Sequence, residues 1–232
     1  MTNAPNRQGE RKVAMIVHAH PEPKSFTSAQ MHEAAAGLRD AGYEVRVFDL
    51  YQQRWEPSLG PDEFVDKEDY FKPQLAQLHA FTSGQLAPEV KEQLDALMAA
   101  DVLVLSFTLW WFSVPAILKG WIDRVFIMGA VFGGGKYGYF KDAALHGRKA
   151  ILLLTTGGSA ESYSPSTGAG NLPALLFHID HGLRFVGYEV LEPVVSWGPV
   201  RLSDAERRES LAAVRAAFEK LDTRPAAHFD PI

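Results

Sequence analysis

Short apolar runs alternate along the chain with longer segments whose apolar residues recur at helical spacing. The runs are rich in β-branched residues and have the length of buried strands. They cover residues 12–18, 44–50, 102–107, 149–155 and 188–195. The helical segments cover residues 28–43, 88–101, 114–127, 172–186 and 203–221. Strands that alternate with helices predict a parallel sheet covered by helices on both faces.

The segment 51–87 interrupts this alternation. It is largely polar and contains Pro57, Pro61 and Pro73, so we interpret it as an excursion with short helical pieces. No repeat or interdomain linker is visible. We therefore expect one domain over residues 1–232, with a polar N-terminal extension at 1–11 and a C-terminal tail at 223–232.

Five parallel strands allow two doubly wound orders, and the loop after the first strand distinguishes them. A dinucleotide-binding fold carries G-x-G-x-x-G there, whereas this loop, AHPEPKSFTS, contains no glycine. A phosphate-binding G-x-x-x-x-G-K-[ST] motif is also absent. The sequence therefore predicts an α/β, flavodoxin-like, doubly wound five-stranded sheet of order 2-1-3-4-5. Such sheets bind ligands outside the carboxyl ends of strands one, three and four.

Composition excludes several function classes. The 232 residues carry a formal charge of −5 and form no basic stripe, so we expect no nucleic-acid partner. There is no cysteine, which fits a reducing compartment, and the polar start lacks the apolar core of a signal peptide. Residues 102–118 are uncharged, but a strand, a turn and a helix start explain them better than a membrane span. We expect a cytoplasmic protein without membrane insertion.

The loop after the first strand, loop one (residues 18–30), is rich in groups that bind anions. His20 and Lys24 can add positive charge, and Ser25, Thr27 and Ser28 offer hydroxyls at a helix N-terminus. Free N–H groups in the first turn of a helix favour a phosphate. The alternative is plain N-capping by Ser25 or Thr27, which requires no ligand.

The loop after the third strand, loop three (residues 107–115), places Trp110, Trp111 and Phe112 in a row before Pro115. Aromatics crowded onto a turn cannot all enter one core. A flat ligand needs a slot with aromatic walls whose edge meets polar groups. The alternative is that these side chains are core or interface residues.

The loop after the fourth strand, loop four (residues 155–164), contains Gly157, Gly158 and Tyr163. The glycines allow the backbone to approach a ligand, and Tyr163 can donate a hydrogen bond or a proton. A glycine-rich turn with a surface tyrosine is the alternative. Taken together, the three loops fit a phosphate at loop one and a planar ring between loops three and four, which is the shape of a flavin nucleotide.

His178, Asp180 and His181 lie close together on one predicted helix and suggest a metal site. Two histidines three residues apart, without a third well-placed ligand, are usually a surface feature, so we predict no metal.

The predicted helix 114–127 is apolar nearly all round and must be covered on several sides. We therefore expect a homodimer with this helix at a twofold interface.

Three stretches, MIVHAHPEPKSF, FTLWWFSVPAILKGWIDRVF and TTGGSAESYS, carry a resemblance to a known family. Over about residues 12–200 the chain resembles the flavodoxin-fold NAD(P)H:quinone reductases, the DT-diaphorase family with its bacterial modulator-of-drug-activity and potassium-efflux ancillary relatives. The resemblance implies two-electron transfer from NADH or NADPH through a flavin to a quinone-like acceptor. FAD is implied by the dimeric members, with FMN as the alternative.

The resemblance also assigns roles to residues of this chain. By resemblance the cofactor-binding residues would be His20, Phe26, Thr27, Leu109, Trp110, Trp111, Phe112, Thr155, Thr156, Gly157, Gly158, Tyr163, Asp204 and Arg207. Ser25 joins them because of its hydroxyl at the helix N-terminus in loop one. Tyr163, with Gly158, would stabilise charge during catalysis. Trp111, Phe132 and Phe185 would line the acceptor pocket, Phe132 being contributed across a dimer interface.

Departures from the family pattern leave other readings open. A histidine that completes a proton relay in the mammalian members is replaced by Ala169, and Lys72 stands where they have glutamine. The glycine-rich segment 129–138 also differs, which affects the preferred acceptor. The alternatives are a flavin-bearing regulatory subunit of a membrane transporter, or a reductase of azo or nitro compounds.

Overall fold

A computed structural model of the chain describes residues 11–65, 69–164, 166 and 170–228. Its strands are β1 (Val13–Ala19), β2 (Glu44–Asp49), β3 (Val102–Thr108), β4 (Lys149–Thr155), β5 (Glu189–Val190) and β6 (Val194–Ser196). Its α-helices are α1 (Phe26–Asp40), α2 (Pro73–Ser83), α3 (Pro88–Ala99), α4 (Ala116–Val125), α5 (Leu172–Phe185) and α6 (Asp204–Glu219). The predicted alternation of strands and helices is confirmed.

The sheet has the order β2-β1-β3-β4-β5 with all pairs parallel, which confirms the predicted flavodoxin-like topology. One prediction needs correction. The fifth strand, expected over 188–195, is two short pieces that both pair with β4. The interruption includes Pro193, which has no N–H to donate to a ladder, so the strand cannot run unbroken along the edge of the sheet.

Helices cover both faces of the sheet. The apolar faces of α1 and α6 pack on one side around Ile16 and Val104, and α3, α4 and α5 cover the other around Met15 and Leu105. These strand residues are inaccessible to solvent. The central strands therefore form a rigid frame whose carboxyl ends carry the three loops.

Helix α4 is covered in part within the chain, and its place at a twofold interface stays a prediction. Residues of the excursion lie directly on it, and a Cβ on Gly120 would come within 2.1 Å of the Pro57 carbonyl oxygen. Buried Arg124 pairs with Glu63 (Nε–Oε2 2.9 Å) and its guanidinium lies over the Trp55 ring at 4.5 Å. The polar excursion thus covers the side of α4 that carries Gly120 and Arg124, while Ile117 and Ile122 stay partly exposed.

The predicted tail is partly built into the fold. The N–H of Ala227 donates to the Val190 carbonyl (2.8 Å), and Leu191 forms a bridge with Ala226. The described part of the tail thus borders β5. None of the described helices combines the length and the apolar character needed to cross a bilayer.

Candidate functional site

Three threonine hydroxyls join the three loops at the top of the sheet. Thr27 comes from the first turn of α1, and Thr108 and Thr155 are the paired last residues of β3 and β4. The Thr27 Oγ1 lies 2.8 Å from Thr108 Oγ1 and 2.9 Å from Thr155 Oγ1, which are 2.9 Å from each other. We call these three residues the hydroxyl triangle. It confirms that loops one, three and four meet at one place.

Loop one presents the start of α1 to this place. Ser25 caps the helix, accepting from the Ser28 N–H at 3.0 Å. The first turn contains no acidic residue, and the N–H groups of Phe26 and Thr27 precede the intrahelical ladder. The His20 ring lies 5.7 Å from the ring of Trp110, so loops one and three are also in contact. The end of α1 can therefore receive an anion beside an aromatic ring.

Loop three folds back in a tight turn. Trp110 and Ser113 exchange two backbone hydrogen bonds (3.1 and 3.0 Å), and the two residues between them, Trp111 and Phe112, have φ of +50° and +62°. Positive φ at both central positions defines a turn that normally selects asparagine and glycine. Aromatic residues there are strained, and strain of this kind concentrates at functional sites.

The strained aromatics are held outside the core. Trp111 is 94% exposed and Phe112 is 47% exposed, while Leu109 is buried below them. The side chain of Ser113 is hydrogen-bonded to His178 Nε2 of α5 at 3.0 Å. The turn is therefore fixed at its base and its rings point outward. Trp111 and Phe112 are thus not core residues.

Loop four presents backbone donors opposite this turn. Buried Thr156 donates its hydroxyl to the Gly158 carbonyl (2.8 Å), which turns that carbonyl inward. Within the described residues, no acceptor lies against the N–H of Gly157 or Gly158. Among the described residues other than its two chain neighbours, no heavy atom lies within 4 Å of where a Cβ of Gly157 would be. At Gly158 a Cβ would come 3.0 Å from the Ser162 Cβ and 3.3 Å from the Tyr163 ring, so a side chain there would require both residues to shift.

Asp204 and Arg207 lie near loop four at the start of α6. Arg207 binds Asp204 (Nη1–Oδ1 3.1 Å) and donates to the Pro199 carbonyl (3.0 Å). The preceding Gly198 donates to the Thr156 carbonyl (3.1 Å), which places this turn beside loop four. In the described chain these two side chains make no hydrogen bond to loop one or loop three.

The two remaining predicted pocket residues lie together, apart from the three loops. The rings of Phe132 and Phe185 are 5.4 Å apart, and Tyr139 stacks on Phe185 at 4.8 Å. Phe132 and Phe185 line a cavity of about 750 Å³ that also reaches Phe71 and Lys72. One chain therefore does not bring them to the hydroxyl triangle.

Sequence reasoning overlooked a buried histidine below loop one. His18 is fully buried, and its Nδ1 and Nε2 are hydrogen-bonded to Ser106 Oγ (3.0 Å) and Ser28 Oγ (3.1 Å). The pKa of His18 is lowered to about 4, mainly by burial; the charge of Asp49 opposes this shift, and His20 and His32 add to it. A histidine inside an apolar strand was the available signal. Ala169, the position of the missing relay histidine, lies outside the described residues.

Comparison with known proteins shows where the chain belongs. The family described as having a flavodoxin-like fold matches residues 12–221. The chain therefore belongs to this family.

Its relatives include quinone dehydrogenases. The mouse ribosyldihydronicotinamide dehydrogenase [quinone] is 34% identical over 224 residues, 95% of this chain and 96% of the relative. The guinea pig NAD(P)H dehydrogenase [quinone] 1 is 34% identical over 226 residues, 94% and 80% of the two chains. A proposed quinone reductase from Klebsiella pneumoniae superposes with a TM-score of 0.86 at 34% identity, covering 94% of this chain and 87% of that one. The predicted family is therefore confirmed, and the relatives support the predicted enzyme class.

Proposed function

We propose that the chain is a flavin-dependent NAD(P)H:quinone oxidoreductase whose cofactor lies above the hydroxyl triangle. The observation that carries this proposal is the meeting of three complementary surfaces. A helix N-terminus, a strained turn with outward aromatic rings, and a glycine pair whose N–H groups have no acceptor among the described residues lie on the three loops that the hydroxyl triangle joins. The curated quinone dehydrogenases that share about a third of their residues with this chain support the same reaction.

The phosphate side of a flavin nucleotide fits loop one. The Ser25 hydroxyl is engaged in capping and the Thr27 hydroxyl in the triangle, so the groups left for phosphate are the backbone N–H groups of Phe26 and Thr27 and the His20 ring. FAD in place of FMN would place its adenylate half toward Asp204 and Arg207 at the start of α6. Arg207 already binds Asp204 and the Pro199 carbonyl, so an adenylate would have to share this guanidinium with them.

The ring side fits loops three and four. Leu109, Trp110, Trp111 and Phe112 would line the isoalloxazine, and Thr155, Thr156, Gly157 and Gly158 would border its pyrimidine edge. Stacking would cover Trp111, whose exposure in the free chain is otherwise costly for so large an apolar side chain. Replacing both Trp111 and Phe112 by alanine should therefore remove most of the flavin affinity, and a double variant that purifies as yellow as the wild type would contradict the placement.

A flavin held by these residues would supply the redox chemistry of hydride transfer from NADH or NADPH to a quinone-like acceptor, in a ping-pong cycle. The chain supplies orientation and charge stabilisation. The N–H groups of Gly157 and Gly158 and the Tyr163 hydroxyl would donate to the oxygen that gains negative charge. One preorganised donor of this kind is worth about 3 kcal/mol, or on the order of a hundredfold in rate.

Replacing Tyr163 by phenylalanine tests this assignment. Because Tyr163 also packs against Gly158 and lies 5.8 Å from Trp197, phenylalanine keeps the packing and removes only the hydroxyl. We expect the flavin to stay bound while its reduction by NADH or NADPH becomes about a hundredfold slower in anaerobic stopped-flow measurements. An unchanged reduction rate would show that Tyr163 has no catalytic role.

The acceptor pocket requires a second chain in this proposal. Phe132 and Phe185 touch each other and lie apart from the hydroxyl triangle of their own chain, so both would come from the partner of a homodimer. Tyr139 and Phe140 extend the same cluster and are 52% and 46% exposed, which provides an apolar surface for that contact. Light scattering at micromolar concentration should give twice the chain mass. A monomer that reduces quinones at full rate would exclude this arrangement.

We also propose that the protein is located in the cytoplasm.

A further inference from the structure

His18 is a polar residue next to the C-terminal end of an otherwise apolar strand. All seven residues of β1 are buried, and the other six are apolar. Burying an imidazole there is costly unless both ring nitrogens have partners. Both do, and the partners are hydroxyls from two different elements, Ser106 of β3 and Ser28 of α1.

The directions of these hydrogen bonds follow from Ser28. Its hydroxyl donates to the Glu22 carbonyl at 3.0 Å, so toward the imidazole it must accept. His18 Nε2 therefore carries the hydrogen and donates to Ser28, and Nδ1 accepts from the Ser106 hydroxyl. One neutral tautomer satisfies every group in this chain of contacts.

These contacts connect the sheet with the bend of loop one. Ser28 Oγ also lies 3.0 Å from the Oγ of Ser25, the residue that caps α1. The Glu22 carbonyl accepts from the Ser28 hydroxyl (3.0 Å) and from the Ser25 N–H (3.1 Å). Through Ser28, His18 therefore supports one of the two hydrogen bonds that keep the oxygen of this bend away from the place where an anion would bind. An inward carbonyl leaves the N–H groups at the start of α1 as the groups that face outward.

We propose that His18 is a positioning residue for the phosphate side of the cofactor, acting through Ser28 on the bend at residues 20–25. This inference rests on the proposed function. It goes further by separating two parts of the site, because the His18 ring is hydrogen-bonded to Ser28 of loop one and Ser106 of β3 and, among the described residues, has no hydrogen bond to loop three or loop four. Its removal should weaken recognition of phosphate and leave recognition of the ring unchanged.

Three flavins distinguish the two parts. Riboflavin has the ring without phosphate, FMN adds one phosphate, and FAD adds the diphosphate and adenylate. Dissociation constants for all three would be measured by fluorescence quenching with wild type, His18→Asn and His18→Gln. Asparagine can replace Nδ1 toward Ser106 but cannot reach Ser28, whereas glutamine carries an N–H to the position of Nε2.

We expect His18→Asn to lose about tenfold or more in FMN and FAD affinity with riboflavin affinity unchanged, and His18→Gln to recover most of the loss. Ser28→Ala, which removes the same link from the loop and keeps the Ser25 cap, should repeat the asparagine pattern. An equal loss for riboflavin, or unchanged FMN affinity in both His18→Asn and Ser28→Ala, would overturn the inference. A wild type that binds riboflavin and FMN equally overturns it while sparing the ring site, and a wild type that binds no flavin refutes the proposed function itself.

Discussion

Replacing Trp111 by asparagine should stabilise the free protein and weaken its binding of flavin. The residue has φ of +50°, a conformation that costs an ordinary side chain about 1–2 kcal/mol and that asparagine tolerates much better. At 94% exposure, Trp111 buries no more than about 15 Å² of its roughly 250 Å², which is worth about 0.4 kcal/mol. The relief of strain exceeds this loss. We expect a net gain of about 1 kcal/mol in the free energy of unfolding.

The measurement is urea unfolding of flavin-free protein, since a bound ligand would add its own stabilisation. A gain of this size should raise the melting temperature by about 2–4 °C for a chain of this length. Trp111→Ala is the matched control, because alanine loses the same ring and keeps the backbone penalty. Both variants should bind flavin weakly, but only the asparagine variant should be more stable than the wild type. Equal stability of the two variants would refute the idea that this turn stores strain.

Three other predictions concern buried polar groups. Among the described residues, both amide atoms of Gln30 are buried without a partner, so Gln30→Met should add about 1–3 kcal/mol of stability in urea unfolding, and a loss would show that the amide is satisfied. Arg124→Leu leaves Glu63 buried and unpaired and should cost about 3–5 kcal/mol, against less than about 1 kcal/mol for Glu89→Gln at the exposed partner. Because the folded pKa of His18 is lowered to about 4, the unfolded chain alone takes up this proton as pH falls from 6.5 toward 4. Between pH 7 and pH 4 the free energy of unfolding of the wild type should therefore fall by up to about 3 kcal/mol more than that of His18→Gln. Parallel plots of unfolding free energy against pH for the two proteins would contradict the lowered pKa.

Local pattern predicted most of the frame. The strand over 149–155 has the bounds that its apolar run indicated, and the first, second and third strands differ by a residue at most at either end. The strand order followed from what loop one lacks, because its missing glycines excluded the competing fold. Edge structure was harder to predict, since the interruption of the fifth strand depends on Pro193 and on pairing with β4.

The site was predicted in outline but not in its tertiary contacts. The residues of loops one, three and four were named from their types, but the contact between Thr27, Thr108 and Thr155 joins residues far apart in the chain. No local signal reports the positive φ of Trp111, because aromatic residues rarely adopt it. The covering of α4 was missed for a similar reason, since the covering segment looks polar by itself.

The hydroxyl triangle has a consequence for how the crevice meets a ligand. Each threonine owns a single hydrogen, so the three bonds can circulate in either direction around the ring with no heavy atom displaced. In either direction each hydroxyl keeps one unused lone pair, so the closed ring can accept a hydrogen bond from a ligand above it. The ring can donate to that ligand only if one hydroxyl gives up its bond to a neighbouring threonine, so the floor of the crevice favours a ligand that brings a donor.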